Sequence, residues 1–548
     1  ANKGVSQHRY IYAMFSRVLV GRSVAVIGPL LTAGSYVFAA PNGANENKTA
    51  PAARLIRRPG AQKKVGERIY SRAEVNQRDG SDGRPMWVTY RDGVYDVTEF
   101  QRVHPGGHLI KQAAGSDVSP FWDIWAYHHY APKVGSFLDK LRIGGLRDVD
   151  QVKPTESAFD PYEAEPVRDK ARQTIFSERP YCSETPNATL GSSYLTPAPA
   201  LYVRNHAPVP DIAWPAEIDS ELSHVQKHEI AFEGSSDDAA SDENASTMTI
   251  SQLESRFGTT TVTSILQCAG NRASEDIAAT GVSGFTGTPF EAITQGMVGN
   301  AQWTGIPLAD VLPVLYPKEC AAARRHGGGE WHVVFEGADG YSASSPLSRV
   351  LAKEQDCLLA TKMNGKFLSP DHGFPVRALL PGVAGARNVK WLQAISLQPQ
   401  PVDAPWNEYY YKNAKAEQIQ GLTLQSLILS HQGSRNGGED SSTAEIEVSG
   451  VAYSGGTGNA IARVEVSTDQ GENWVGATIL ADEVIADGSH KHFGWVRWVA
   501  KLNVPLGKHA TVSVCSRATD TDGKTQAKTP PKERGYLYNG WSKVEVKV

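Results

Sequence analysis

The chain has 548 residues, more than one hydrophobic core usually serves, so we expect about two to four domains. Its 55 Lys and Arg residues nearly balance its 59 Asp and Glu residues. This balance excludes a strong overall basic footprint for nucleic acid and leaves any anionic substrate dependent on a local basic pocket. The five cysteines are odd in number, widely spread and without metal-binding pair spacing, which argues against a disulfide framework or a zinc site.

The N-terminal residues 1–40 are predicted to be a targeting segment. No acidic residue precedes Glu46, and several basic residues precede an apolar run from position 24 to position 40. This composition resembles a two-part mitochondrial presequence that delivers a protein to the intermembrane space. The alternative is a retained membrane anchor, but the run is short for a bilayer span and contains glycine and proline, so we expect no stable anchor. Residues 41–64 are predicted to be a linker.

A first compact unit is predicted over residues 65–146. From Trp87 to Phe100 the sequence alternates as two short strands around Asp92-Gly93, and Thr98 then follows as the predicted cap of a helix. A hairpin followed by a helix leads into His104-Pro105-Gly106-Gly107. The small fold is therefore predicted to be α+β.

The residues from Gly93 to Gly107 closely resemble the signature of the cytochrome b5 family. The resemblance implies that heme b is bound in an apolar slot, with two axial imidazoles reaching the iron from opposite walls. His104 is then the first ligand. His128, which follows Pro120-Phe121-Trp122, matches the second ligand better than the adjacent His129.

A polar, proline-bearing stretch over residues 147–169 is predicted to be a hinge. Residues 170–420 mix short apolar runs with many Gly and Pro residues, which indicates a mixed α+β domain, and Ile250, Leu253 and Phe257 predict a helix. Residues 233–246 are acidic and poor in apolar residues, so we interpret them as a solvated insertion.

In the segment from Ile265 to Arg272, the thiol of Cys268 stands at the predicted end of a strand. Small residues follow Cys268, and they permit the close approach of a bulky group. A soft thiolate suits a redox metal. The segment resembles the molybdenum-binding loop of the sulfite oxidases and eukaryotic nitrate reductases. Three further segments agree in order with that family: 202–206, 371–377 and 381–391.

The resemblance implies that Cys268 binds the molybdenum of a molybdopterin cofactor. Arg377, Lys390 and His372 are then expected to be charge-assisted donors to the phosphate and polar rings of that cofactor. The complete predicted set of cofactor-binding residues is Tyr202, Val203, Arg204, Asn205, His206, Cys268, Asp339, His372, Arg377, Asn388, Val389 and Lys390.

Four residues match the catalytic positions of the family: Arg204, Cys268, Tyr411 and Arg497. The two arginines would hold sulfite, and Tyr411 would assist proton release. Arg497 lies in an apolar strand, where a buried charge needs a partner. Tyr410 is an alternative to Tyr411, and ordinary salt bridges or core packing are the alternative roles of these side chains.

Residues 421–548 alternate in hydrophobicity and carry turn signals such as Asp469-Gln470-Gly471, so they are predicted to form an immunoglobulin-like β-sandwich. Ala444, Ile446 and Val448 would face its core. By resemblance this domain forms a homodimer. The chain as a whole is predicted to be an α+β multidomain protein, with a cytochrome b5-like domain, a sulfite-oxidase-type molybdopterin domain and the sandwich.

The resemblance implies oxidation of sulfite to sulfate by oxygen-atom transfer, with electrons passing through heme b to cytochrome c. Nitrate reductases share the Cys268-type loop but place heme after molybdenum, whereas here the heme unit comes first. The alternative that is not an enzyme is a heme electron carrier without molybdenum chemistry. Such a protein would have lost molybdenum binding even though Cys268 is present.

Two departures from the family pattern stand near the expected substrate channel. Ala273 replaces a second consecutive arginine, and Phe290 stands at an approximate match to a tryptophan. Loss of one cation predicts a less positive pocket and a lower Michaelis constant after Ala273→Arg. Alternatively, Arg256 or Lys362 reaches the same space from another loop.

Overall fold

A computed structural model describes residues 66–548 with several gaps. The gaps are positions 103, 105–109, 112, 125–127, 129–131, 151–161, 163–164, 211–217, 235–245, 282–291, 326–330, 405–406, 408–410, 414–416, 437–441, 481–489, 506–510 and 531–535. The predicted targeting segment and linker, most of the acidic insertion, and Phe290, His129, Trp406 and Tyr410 lie outside the described residues. None of the described helices combines the length and apolar character that a membrane crossing requires.

The first unit is a four-stranded sheet with spatial order β1-β4-β3-β2. Its strands are β1 Ile69–Tyr70, β2 Trp87–Tyr90, β3 Gly93–Asp96 and β4 Arg142–Leu146. Its helices are α1 Arg72–Asn76, α2 Ser119–Ile124 and α3 Pro132–Leu141. The predicted hairpin is confirmed, because β2 and β3 pair antiparallel across Arg91 and Asp92.

The predicted helix cap at Thr98 is wrong. The Thr98 hydroxyl accepts the Met86 N–H at 2.8 Å and donates to the Asp96 carboxylate, and the chain then forms a single 3₁₀ turn at Phe100–Arg102. The side-chain oxygen therefore joins the chain before β2 to the end of β3. An ST-type side-chain contact has replaced the cap because both compete for the same hydroxyl.

The middle domain contains two five-stranded sheets and a three-stranded one. The first follows β10-β11-β14-β15 with β16 paired to β14, the second follows β13-β12-β17-β8-β9, and the third follows β5-β6-β7. The strands are β5 Thr174–Glu178, β6 Tyr181–Glu184, β7 Val203–Arg204, β8 Glu229–Glu233, β9 Ser246–Thr249, β10 Thr260–Gln267, β11 Val298–Pro307, β12 His332–Gly337, β13 Ser342–Pro346, β14 Leu358–Met363, β15 Lys366–Phe367, β16 Arg377–Leu379 and β17 Leu392–Gln398.

The described part of this domain also contains α-helices. They are α4 Asn187–Ser192, α5 Ile218–Lys227, α6 Ile250–Phe257, α7 Ala273–Thr280, α8 Leu308–Leu315, α9 Pro317–Arg325 and α10 Leu347–Leu351. The predicted helix at Ile250 is confirmed: Thr249 and Gln252 form a reciprocal capping box, and Ile250 and Leu253 are buried. One hydrophobic core includes these residues together with Cys268 and Trp303.

The C-terminal domain is a sandwich of two four-stranded sheets, in the orders β18-β19-β23-β22 and β21-β20-β24-β25. Its strands are β18 Gln425–Arg435, β19 Thr443–Tyr453, β20 Ile461–Ser467, β21 Val475–Gly476, β22 Thr478–Leu480, β23 Val496–Pro505, β24 Thr511–Asp520 and β25 Ser542–Lys547. Ala444, Ile446 and Val448 are fully buried between the sheets, as predicted. The sequence alternates here because successive side chains of β19 point to opposite faces of the sheet.

Candidate functional site

Two histidine rings face each other in the first unit. The ring centroids of His104 and His128 lie 6.1 Å apart, and the ring planes are within 8° of parallel. Trp122 stacks on His128 at 5.3 Å, and Phe100 meets His104 edge-on at 5.6 Å. Two metal–nitrogen bonds of about 2 Å each, together with the ring radii, fill such a separation. This centroid separation matches one iron between the two imidazoles, and aromatic rings contact both of them.

The predicted molybdenum ligand lies where the sequence placed it, one residue beyond β10. Cys268 is 5% exposed, its N–H donates to the Met297 carbonyl at 3.0 Å, and the Gly270 N–H donates to its sulfur at 3.4 Å. Burial raises the pKa of the Cys268 thiol above its ordinary value, while the Gly270 N–H and the charge of Arg204 oppose that rise. A bound metal cation would favour the thiolate further.

Cys268 opens into a cavity whose lining comes from several separate segments of the chain. All twelve predicted cofactor-binding residues line it, and so does Tyr411. Sequence reasoning missed six lining residues, which are Leu266, Tyr341, Asp371, Gly385, Ala386 and Trp391. Each of these lies within three positions of a predicted residue in the chain, so the sequence around the predicted residues carried the signal.

A buried arginine makes the cavity suitable for an anionic group. Arg377 is 3% exposed, and its guanidinium donates to the carbonyls of His372 at 3.0 Å and Asn388 at 2.8 Å. Burial lowers the pKa of Arg377 to about 10, so it stays charged near pH 7. Within the described chain no carboxylate forms an ion pair with it. A phosphate would neutralise this buried charge, which is the fit expected for molybdopterin.

His372 differs from the expectation that it is a charged donor. Burial lowers the pKa of His372 to about 4, so its ring is neutral near pH 7, and its Nε2 lies 3.2 Å from the Ala198 carbonyl. The next residue, Gly373, has a φ of 100°, and a Cβ there would lie 3.1 Å from the Cβ atoms of Arg377 and Lys390. Glycine is thus required where this loop turns against the two cationic side chains.

Lys390 and Asp339 both line this cavity and attract each other electrostatically. The Lys390 ammonium donates to the Asn205 side-chain oxygen and, at 2.9 Å, to the Asp371 carbonyl. Burial lowers the pKa of Lys390 and raises the pKa of Asp339, while the attraction between the two opposes both shifts. Asp339 also accepts the Tyr341 N–H at 3.1 Å.

Arg204 and Tyr411 lie on the cavity wall as predicted. Tyr411 is 4% exposed, and its hydroxyl lies 2.8 Å from Nε2 of His206. Tyr411 has a φ of 50°, a strained value for a bulky side chain that is typical of functional sites. Arg204 Nη1 donates to the Asn205 carbonyl at 2.5 Å.

Arg497 is placed differently from the expectation. It lies in β23, and its Nη1 donates to the Gly191 carbonyl at 3.3 Å. It is not among the described residues that line the cavity. The structure therefore brings Cys268, Arg204 and Tyr411 together and leaves Arg497 outside this group.

Ala273 does not leave a gap in the cavity wall. It begins α7, is 3% exposed and packs in the hydrophobic core of the middle domain. It is absent from the described cavity lining, as are the two candidate substitutes: Arg256 stacks on Phe257 and Lys362 on Phe367. The missing-cation interpretation therefore has no support in the described geometry.

The preceding residue, Arg272, has a structural role that the sequence did not reveal. It is fully buried with a φ of 67°, and it forms a bidentate pair with Glu275 at 2.6 and 2.9 Å. It also donates to the Gly540 carbonyl at 2.7 Å and to the Gln425 side chain at 2.9 Å. Arg272 thus joins the Cys268 loop to the C-terminal sandwich.

Family matches agree with this arrangement. Residues 71–147 match the cytochrome b5-like heme/steroid binding domain, residues 218–406 the oxidoreductase molybdopterin binding domain, and residues 416–548 the Mo-co oxidoreductase dimerisation domain. The fold and the two sites thus define an oxidoreductase that uses heme and molybdopterin. The predicted fold class and both cofactors are confirmed.

Relatives that match most of the chain identify the family within this class of oxidoreductases. The chain is 35% identical over 502 residues to the mitochondrial sulfite oxidase of Homo sapiens. The alignment covers 88% of this chain and 84% of the human protein. It is 34% identical over 507 residues to the mitochondrial sulfite oxidase of Drosophila melanogaster, covering 87% and 81%. The chain belongs to the sulfite oxidase family.

Less similar proteins also match parts of this chain. An NADH nitrate reductase of Ulva prolifera is 30% identical over 373 residues, covering 64% of this chain and 40% of that protein. The crystal structure of the sulfane dehydrogenase SoxCD from Paracoccus pantotrophus has a TM-score of 0.51 at 22% identity, covering 72% of this chain and 97% of that one. This second likeness shows a shared fold alone.

Proposed function

We propose that this protein oxidises sulfite to sulfate in mitochondria and passes the electrons through its own heme to cytochrome c in the intermembrane space. The observation that carries the proposal is the grouping of a buried thiol, Arg204 and the His206–Tyr411 pair around one cavity. Relatives named mitochondrial sulfite oxidase support the substrate and the compartment.

The reaction converts sulfite and water to sulfate, two protons and two electrons. Cys268 would hold molybdenum, Arg377 and Lys390 would hold the molybdopterin, and the bound metal would supply the two-electron redox change. The protein groups bind and orient the anion. Arg204 is the cation of the predicted catalytic set that lies beside the thiol, so we assign sulfite binding to it.

Tyr411 and His206 are assigned to proton handling. Burial raises the pKa of Tyr411 well above its ordinary range and lowers the pKa of His206 well below it. The hydroxyl therefore stays protonated and the imidazole stays neutral near pH 7. If His206 carries its proton on Nε2, it donates to the Tyr411 oxygen, and the hydroxyl proton is left to hydrogen-bond a group in the cavity.

His104 and His128 would hold the heme iron, which would accept one electron at a time, so each sulfite would require two transfers. We place the heme domain at 65–146, the hinge at 147–169, the catalytic domain at 170–420 and the sandwich at 421–548. We assign homodimer formation to the sandwich, which is supported by its match to a dimerisation domain.

The test is a steady-state assay of purified protein with known molybdenum and heme content. We expect sulfite-dependent reduction of cytochrome c with one sulfate formed for every two cytochrome c molecules reduced. Nitrate with a reduced electron donor is the matched control, because a nitrate reductase is also among the relatives. Nitrate turnover without sulfite turnover in fully loaded protein would refute the proposal.

A further inference from the structure

We infer that Arg168, near the end of the segment that leads from the heme domain, is a positioning residue for the molybdopterin loop and acts through Asp371. The inference rests on the proposed function in one respect, namely that the cavity beside Cys268 holds the cofactor. Nothing in the sequence around Arg168 indicated this role, since the residue lies inside the predicted hinge.

The contact between the two side chains is a bidentate ion pair. Nε of Arg168 lies 2.7 Å from one carboxylate oxygen of Asp371, and Nη2 lies 2.7 Å from the other. Both side chains are 11% exposed. Such fork-to-fork pairs combine charge with fixed geometry, so they orient a carboxylate more strictly than a lysine would.

Asp371 is the junction of the cofactor loop. Its carboxylate accepts the Asn205 side-chain N–H at 3.2 Å, and its carbonyl accepts the Lys390 ammonium at 2.9 Å. Asp371 lies between His372 and Pro370 in the chain. The Pro370 carbonyl accepts the Trp391 indole N–H at 2.7 Å. Asp371 thus connects cavity residues from three separate segments of the chain.

Arg168 is itself held on both sides. Its guanidinium stacks 4.0 Å from the ring centre of the buried Tyr181, and its Nη2 lies 2.5 Å from Glu165. Glu165 in turn accepts the Val209 N–H at 2.8 Å, and Val209 follows His206 and the short strand β7, which ends at Arg204. Burial lowers the pKa of Arg168, but the hydrogen bonds and charges of Asp371 and Glu165 together outweigh it, so the pKa is raised.

These contacts alter the predicted hinge. Arg168 and Glu165 contact residues beside the cofactor cavity, so this end of the predicted hinge packs as part of the catalytic domain. A side chain whose own position is fixed by stacking and by a second ion pair can hold Asp371, and through it Asn205 and Lys390, in one arrangement.

The test compares Arg168→Gln with Arg172→Gln in the full-length holoenzyme. Arg172 forms an ion pair with Asp169 on the same segment, but both side chains are more than half exposed, at 55% and 54%. The readout is the ratio of molybdopterin to heme, with heme as the internal standard for folded protein, and the rate of molybdopterin loss after dilution. We expect about tenfold faster loss for Arg168→Gln and no change for Arg172→Gln.

Two further variants keep the outcome decisive. Arg168→Lys preserves the positive charge but lacks the two-pronged guanidinium, so we expect a rate of molybdopterin loss between those of the wild type and Arg168→Gln. This variant keeps the test usable if Arg168→Gln fails to fold. Arg168→Gln combined with Asp371→Asn should lose cofactor no faster than either single variant, because the two groups act as a unit. Wild-type retention in both Arg168→Gln and Arg168→Lys, or in Arg168→Lys alone if the glutamine variant does not fold, overturns the inference.

Failure of the proposed function is distinguishable from failure of this inference. If loaded wild-type protein does not oxidise sulfite but Arg168→Gln loses molybdopterin, the proposed reaction is wrong and the positioning role stands. If wild-type protein oxidises sulfite and both Arg168 variants keep the cofactor, the positioning role alone is wrong.

Discussion

The heme slot and the molybdopterin cavity depend on the chain in different ways. His104 and His128 come from one small domain, and aromatic rings from the same domain orient them. The cavity, in contrast, gathers side chains from Tyr202 to Tyr411, and contacts such as Asn205 to Asp371 hold distant segments together. A local site should tolerate changes elsewhere in the chain, whereas a distributed site should be sensitive to changes far from the metal.

Cys268→Ser should separate the two sites most completely. A serine hydroxyl is a poor replacement for a soft thiolate, so we expect loss of sulfite oxidation with an unchanged heme spectrum. Steady-state assays and visible spectroscopy on the same preparation check this. Retained turnover would contradict the assignment of Cys268.

His104→Ala or His128→Ala should have the opposite effect. We expect loss of the normal heme spectrum and of cytochrome c reduction, while sulfite oxidation with an artificial acceptor that takes electrons directly from molybdenum persists. Parallel assays with the two acceptors measure this. If His129→Ala perturbs the heme spectrum and His128→Ala does not, the choice of the second ligand is wrong.

Ala273→Arg tests whether the missing family arginine matters for the substrate. Because Ala273 is buried in the core, we expect a destabilisation of about 1–3 kcal/mol from overpacking and no improvement in sulfite affinity. Thermal denaturation and the Michaelis constant over a salt series check both points. A lower Michaelis constant at low salt with unchanged stability would restore the missing-cation hypothesis.

Tyr411→Phe should have a smaller effect. Loss of the hydroxyl removes the contact with His206, and we expect kcat to fall about tenfold, which corresponds to one hydrogen bond of about 1.4 kcal/mol. The pH profile of kcat should change as well, since the pair is assigned to proton handling. An unchanged kcat and profile would leave Tyr411 with a packing role.

Shortening the tether between residues 147 and 161 should have the smallest effect on sulfite binding. We expect slower heme reduction, because tether length sets how readily the two cofactors approach. Stopped-flow heme reduction across a deletion series measures this. Equal rates at every length would refute a tether role.

The sequence predicted local features well. The hairpin at Asp92, the helix at Ile250 and the strand that ends at Cys268 depend on neighbouring residues, and all three are present. The helix cap at Thr98 failed because its hydroxyl bonds Met86, a contact between residues separated in the chain.

Non-local contacts limited the prediction of the sites. The family-like segments predicted the cavity lining, yet the roles of Arg168 and Arg272 depend on partners more than 100 residues away in the chain. The neutral state of His372 depends on burial, which periodicity alone does not reveal. The position of Arg497 outside the cavity likewise depends on how β23 packs against the segment around Gly191.

The most direct test of the central claim is a single-turnover experiment on protein loaded with molybdenum and heme. The oxidised enzyme is mixed with sulfite in the absence of oxygen and of cytochrome c, and the heme spectrum is recorded. If the Cys268 cavity oxidises sulfite and passes electrons to the His104–His128 heme, wild-type heme becomes reduced and Cys268→Ser heme stays oxidised. Heme reduction in Cys268→Ser, or none in fully loaded wild-type protein, would contradict the account.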